Sequence, residues 1–226
     1  MYKYETHLHT SPVSRCARAS AEESLIFYKE KGYDGVFITN HFIDGNINID
    51  RSVFYEEKID FYFSDYENAV PLGKKIGIKV FCGIEMSNHG TDFLVYGIGK
   101  NWFLEHPEIE RMRMSEKLSL LRDNGAFIIQ AHPLREAAYI DHIRLYPRHI
   151  EGVEVINANR TDFENKMAEI YADSYNLLRV AGSDNHTGRE QSILAGVMTE
   201  TPLESEQDYI KAVRENKIQL FKVPND

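Results

Sequence analysis

The sequence predicts an α/β fold whose sheet closes into a barrel, and three observations carry that prediction. Short apolar runs alternate with helical stretches along the 226 residues. Several of these runs (VFIT, KVFCGI, AFII, VEVI) are apolar on both faces, as strands of a parallel sheet covered by helices are. Metal-competent polar groups follow many of the runs at their C-terminal ends. In an open sheet of six strands the outermost would stand roughly 24 Å apart, whereas donors sit only about 2.0–2.2 Å from a shared ion. The groups can meet only if the sheet curls.

The strands read in order as Tyr2–His9, Gly35–His41, Ile78–Ser87, Phe93–Ile98, Ala126–His132, Gly152–Asn157 and Arg179–Asp184. Between the first two, Ser20 and Glu23 form a capping box and Gly32 closes the helix. A second helix spans about Phe54–Lys75 and stops before Gly77, with a kink or break expected at Pro71. A third starts near Pro107 and ends at Asn124-Gly125, a fourth covers Phe163 to about Leu177, and the last runs Ser205–Lys217 after the Thr201-Pro202 stop. The aromatic stretch Phe54–Tyr66 reads as a core stripe at helical spacing. Residues 42–53 form the longest expected loop, placed to lie over a site. Alternating β and α favours right-handed crossovers. With no internal repeat or linker, residues 1–226 read as one domain.

Composition narrows the function. Lys+Arg is 26 against Asp+Glu 35, a net charge of −9, which argues against a basic face for long nucleic acid. No apolar run reaches the roughly 18 residues of a membrane span. MYKYETHLHT has no signal-peptide h-region, and two cysteines make no disulfide framework. A cytoplasmic protein with no membrane partner is the expectation; oligomeric state is not legible.

Five of the nine histidines sit at strand ends. His7 and His9 form H-x-H, two apart and so on one side of a strand. His41 follows ITN, Glu85 ends CGIE, His132 ends IIQAH, and Asp184 and His186 form D-x-H in AGSDNH. In parallel α/β folds this edge is where sites are built. A lone histidine there is more often structural. Seven such groups together would make a costly core without an ion, because a buried carboxylate needs a partner or a metal. Seven donors exceed one tetrahedral shell, so two or three divalent ions are implied, with Glu85 the natural bridge. Mixed N and O donors suit Zn, Mn or Fe.

H-x-H-T, T-N-H, G-I-E, A-H-P and G-S-D-N-H in this order resemble the PHP (polymerase and histidinol phosphatase) family, from His7 to His186. The resemblance implies a distorted TIM-like (β/α)7 barrel with a two- or three-metal site, usually hydrolysing phosphoesters. It assigns His7, His9, Glu85 and Asp184 to one metal, Glu85 and His132 to a second, and His41 and His186 to a third. Glu85 and Asp184 become the central catalytic carboxylates. Three departures bear on the third site. The loop SPVSRCARAS lacks the family's further His or Asp and offers only Cys16; Asp92, with His89 before it, stands where the family often has histidine; and Asn40 replaces the aspartate of T-D-H. Cys82 reads as core.

Two divalent ions can bind a phosphate oxygen and lower the pKa of a bound water. No P-loop and no G-x-S-x-G elbow is present. Arg135 and Arg160 are the expected phosphate clamps, since guanidinium matches phosphate oxygens; Arg15 and Arg18 rank below them. The leading expectation is a phosphatase of a small phosphorylated substrate such as histidinol phosphate, a nucleotide or a sugar phosphate. The alternatives are a nuclease acting on short substrates, a metal-dependent amide hydrolase, and a non-enzymatic metal-binding domain.

Overall fold

The computed structural model describes residues 1–226. One nine-stranded sheet carries the molecule, in the order β7-β6-β5-β4-β3-β2-β1-β8-β9. The strands are β1 Tyr2–Leu8, β2 Gly35–Ile38, β3 Lys79–Asn88, β4 Thr91–Tyr96, β5 Phe127–Ala131, β6 Gly152–Asn157, β7 Leu178–Gly182, β8 Ile193–Thr199 and β9 Ile218–Pro224. The helices are α1 Ala21–Glu30, α2 Tyr55–Ile76, α3 Lys100–Glu105, α4 Met114–Asp123, α5 Asp162–Tyr175 and α6 Glu206–Arg214. None is long and apolar enough to cross a membrane.

The first seven strands wrap into a nearly closed barrel. Leu8, at the end of β1, bridges Asn185 just past β7 in parallel register, and the Thr6 hydroxyl donates to the Ala181 carbonyl (2.6 Å). Near its start, β1 pairs instead with β8, antiparallel. The barrel is thus pulled open at one end, and β8–β9 is appended there as an antiparallel pair.

The expected all-parallel sheet is interrupted at β4. Pairs β1–β2, β2–β3, β5–β6 and β6–β7 are parallel, but β4 is antiparallel to both neighbours. The cause is a two-residue turn between β3 and β4. His89 and Gly90 both have positive φ (50° and 82°), the geometry that twists with a tight hairpin. Reversal brings the beginning of β4, and Asp92 with it, to the edge where the parallel strands end.

Local chemistry sets the helices. Ser20, Thr161 and Ser205 each accept from the backbone amide of the third helical residue, Glu23, Glu164 and Asp208, which satisfies otherwise orphaned donors. Pro71 does not break α2, which runs through it. Pro71 and Glu67, whose carbonyl loses its partner, both face solvent, where water can replace the missing bond. The third expected helix is divided: Pro107–Arg111 is a 3₁₀ turn, and α4 begins at Met114, where Glu116 accepts from the Arg113 amide (3.0 Å).

Tyr4, Phe37, Phe81, Phe127 and Val180 pack with Tyr209 and Val213 of α6. Each strand residue lies three to five positions before a polar group of the site: His7, His41, Glu85, His132 and Asp184 respectively. An apolar plug therefore fills one end of the barrel and a polar cluster the other.

Candidate metal centre

The seven residues singled out at the strand ends converge. His7, His9, Glu85, His132 and Asp184 are each at most 4 % exposed. His7 Nε2 lies 3.2 Å from His9 Nε2, 3.3 Å from Glu85 Oε1 and 3.5 Å from Asp184 Oδ1. His9 Nε2 lies 3.4 Å from both Glu85 Oε2 and Asp184 Oδ1. His132 Nε2 is 3.3 Å from Glu85 Oε1, and His41 Nδ1 is 2.6 Å from Glu85 Oε2. His186 stacks on His9, with ring centroids 4.1 Å apart.

These spacings fit a coordination shell. Four donors about 2.0–2.1 Å from a tetrahedral ion lie about 3.3–3.4 Å from one another. The distances among His7, His9, Glu85 and Asp184 fall around that value. Three groupings emerge: His7, His9 and Asp184; His7, Glu85 and His132; and His9, His41 and His186. The two oxygens of Glu85 face different groupings. Both ring nitrogens of His132, Nδ1 of His41 and Oε2 of Glu85 are buried without a hydrogen-bond partner, a state that is costly unless an ion completes it.

A second layer sets the ring orientations. Glu154, fully buried on β6, binds His7 Nδ1 through Oε1 (2.8 Å) and accepts from the His132 amide through Oε2 (3.1 Å). His7 thereby turns Nε2 to the cluster. The Ser14 hydroxyl donates to Asn40 Oδ1 (2.8 Å), so it can only accept from His9 Nδ1 (3.1 Å), leaving His9 Nε2 as an open lone pair. Asn40 in turn donates to Asp65 of α2, which also accepts from the Thr10 hydroxyl (2.8 Å). The neutral Asn40 of T-N-H thus relays a carboxylate held by α2. His186 Nδ1 donates to the Asp184 carbonyl (2.8 Å). His132 and Asp184 themselves take positive φ (26° and 54°), backbone strain of the kind that persists at functional sites.

The electrostatics follow from that crowding. Burial opposes ionisation of Glu85 and Asp184, yet the surrounding histidines hold both well below the usual carboxylate range. Burial, with His186 and His41 as like charges, pushes His9 well down and keeps its ring neutral. Burial raises the Cys16 thiol, but hydrogen bonds with His186 and His41 outweigh it and bring the thiol to about 6.

A cleft of about 560 Å³ opens onto the cluster, lined by Cys16, His41, Glu85, Asp92, Arg135 and His186 among others. Asp44, Gly45 and Asn46, from the long loop after β2, form part of its wall. Asp92 pairs with Arg135 (2.9 Å), 3.9 Å from His132 Nε2. Arg135 lines the cleft. Arg160 does not: its guanidinium turns back to Glu164 (4.0 Å) in the first turn of α5. Arg18 pairs with Glu190 on the surface (3.5 Å). His89 sits at the tip of the β3–β4 turn and borders the cleft. Cys82 packs against the core but is half-buried. Glu154 escaped the sequence reading, although a glutamate inside the apolar run GVEVIN is itself a signal.

Neither a family model nor a curated protein matches the sequence. Solved structures do match its fold. A two-domain protein from Bacteroides vulgatus, containing a predicted PHP-like metal-dependent phosphoesterase, superimposes with a TM-score of 0.72 at 15 % identity, covering 97 % of this chain and 64 % of that one. PsfC from Pseudomonas syringae gives 0.64 at 16 %, covering 99 % and 92 %. An amidohydrolase from Chromobacterium violaceum, solved with sulfate and no metal, gives 0.56 at 13 %, covering 96 % and 97 %. The fold is PHP-like, a distorted TIM-type barrel.

Proposed function

We propose that this protein is a metal-dependent phosphoesterase that hydrolyses a small phosphomonoester. One observation carries the reading: donors from five strand ends stand at coordination-shell spacing beneath an open cleft with an arginine on its wall. His7, His9, Glu85 and Asp184 would hold one divalent ion, Glu85 and His132 a second, and His41 and His186 a third. Such ions polarise a phosphoryl oxygen and make bound water nucleophilic near neutral pH.

The remaining roles belong to the chain's own residues. Glu85, with Oε1 turned to His7 and His132 and Oε2 to His9 and His41, would supply a donor to each of the first two cations. Glu154 and Ser14 keep the Nε2 lone pairs of His7 and His9 turned inward. Arg135 is anchored by Asp92 and by the Gly90 carbonyl (3.2 Å), and its Nε is buried without a partner. Its place on the cleft wall would let the guanidinium meet a phosphate oxygen there. Asp44, Glu85, Asp92 and Asp184 would repel a polyanion that brought no cations, which favours a compact substrate over long nucleic acid.

The test is phosphate release from a panel of small phosphomonoesters, with the protein as purified, after chelation, and after adding back Zn, Mn or Fe. Release that chelation stops and a metal restores is the expected result. Metal-loaded protein that releases no phosphate from any of them would overturn the reading. Turnover of cyclic amides instead would favour amide hydrolysis, which the likeness to the Chromobacterium fold keeps in view.

A further inference from the structure

Two arginines tie the segment after β5 to the turn between β3 and β4. Arg135 Nη2 donates to the Gly90 carbonyl and Arg144 Nη1 to the His89 carbonyl, both at 3.2 Å. Within the segment, the Arg135 amide closes a turn onto the His132 carbonyl (3.0 Å), and the Ile140 amide closes a second onto the Ala137 carbonyl (2.9 Å). Tyr139 stands at the corner of that second turn. Gly90 lies against it: a Cβ there would fall 2.7 Å from Ile140 Cγ1 and 3.6 Å from Tyr139 Cε2. The Tyr139 ring is thus set on the rim of the cleft by a hydrogen-bonded frame.

The ring is nevertheless 68 % exposed. Tyr139 is the one large apolar side chain lining the cleft; every other wall residue is polar, titratable or glycine. A chain of contacts leads from it to the cluster. The Arg135 guanidinium lies 5.8 Å from the ring centroid and 2.9 Å from Asp92, which lies 3.9 Å from His132 Nε2. The cluster is buried, so an ester whose phosphate sat on it would direct its alcohol outward through the cleft, past this ring. The polar groups around the ring are engaged with one another: Arg135 with Asp92 and the Gly90 carbonyl, Arg144 with the His89 and His142 carbonyls. The rim therefore offers a π face rather than free partners for sugar hydroxyls.

We propose that Tyr139 is a specificity-determining residue, a stacking platform that selects phosphomonoesters whose alcohol carries a planar aromatic ring over those of sugars and aliphatic alcohols. Aromatic rings attract one another in offset or edge-to-face arrangements beyond the area they bury. A platform fixed before the substrate arrives gives that attraction without first having to be ordered. An aromatic phosphomonoester would then meet the site at two points, with its phosphate beside Arg135 and its ring on Tyr139. This inference rests on the reading of the site as that of a phosphoesterase.

Steady-state kinetics of the metal-loaded full chain test it. The aromatic esters are 1-naphthyl phosphate and adenosine 5′-monophosphate; the others are glycerol 3-phosphate and glucose 6-phosphate. Comparing each variant with wild type on the same ester removes differences between leaving groups. Tyr139→Ala should raise KM for the aromatic esters about 2- to 10-fold more than for the others, the worth of one aromatic pair, with kcat falling less than KM rises. Tyr139→Phe should keep the wild-type ratio of KM values, and Tyr139→Trp, with a larger ring, should lower KM for the aromatic esters. These two replacements decide the outcome if the Ala chain does not fold. A Tyr139→Ala chain that changes all four esters alike overturns the inference, as does a Tyr139→Phe chain that loses the aromatic preference or a Tyr139→Trp chain that does not strengthen it. In each of those cases the phosphoesterase reading stands. Metal-loaded wild type that hydrolyses none of the four esters overturns that reading, and this inference with it.

Discussion

Glu154 shows how a residue outside the predicted ligand set can decide whether the site forms. One oxygen accepts from His7 Nδ1, and the other accepts from the His132 amide and from Asn157 Nδ2 (2.9 Å). Every contact requires an acceptor. Glu154→Gln keeps the shape but makes one end a donor. Turned toward His7, the amide forces the ring proton onto Nε2, where it points at the cluster. Turned the other way, it opposes two donors. We expect metal affinity to fall about 10- to 100-fold, the usual consequence of losing an orienting partner, as measured by competition with a chelator. Unchanged affinity would remove Glu154 from the site. Asp184→Ala and His9→Ala act more directly: metal content and turnover should be lost while the circular dichroism stays that of a folded barrel. A variant retaining full metal and activity would show that the wrong groups have been assigned. The seven converging residues were readable because each imidazole or carboxylate stands at or near the end of an apolar run. Glu5, Asp65 and Glu154 were not, because their polar partners come from remote segments such as Ser183 and Thr10.

The β3–β4 hairpin makes the same point for an element. Both strands were legible from their apolar runs, but their relative direction depends on two residues, His89 and Gly90, that read as loop. With positive φ at both, the chain reverses within one turn. That reversal delivers Asp92 to Arg135, and so orients the one arginine that lines the cleft beside the cluster. Gly90→Ala places a Cβ about 2.7 Å from Ile140 Cγ1 and puts an L-residue in the left-handed region, which costs roughly 1–2 kcal/mol. Denaturant unfolding should show a loss of that order. The KM for a phosphomonoester should rise more than kcat falls, since Arg135 would bind substrate and Glu85 stays in place. A loss of kcat alone would contradict the role given to the hairpin. Strands β8 and β9 were missed for a related reason. Gly196 interrupts the first, where any Cβ would meet the Tyr4 carbonyl at 2.2 Å, and Pro224 ends the second. Glycine and proline weaken a strand signal in sequence although both are allowed at a close approach or an edge.

For the whole molecule, the polar end of the barrel is an unfavourable structure that a cation would make favourable. Glu85, Glu154 and Asp184 are buried together with three nearly inaccessible imidazoles, and burying uncompensated charge costs several kcal/mol per group. Ligand binding to the folded state alone adds about 2.7 kcal/mol when the free ion is 100-fold above its Kd. In a chain of this length each kcal/mol shifts Tm by roughly 2–4 °C. Chelation should therefore lower Tm by about 5–10 °C. The sign of the pH dependence is set by competition: the imidazoles must be neutral to bind a cation, so protons displace it. Burial opposes protonation of His41 and His186, but Glu85, Cys16 and Asp184 outweigh it and raise both above the ordinary imidazole value, so the gap in Tm between metal-loaded and chelated protein should be widest on the alkaline side and should narrow as pH falls from about 9 to about 5. Paired thermal melts across that range check both statements. A gap that stays constant with pH would mean that the stabilising ion sits on groups other than these histidines. No gap at any pH would mean that the apolar plug and the hydrogen-bonded second layer hold the cluster together without an ion.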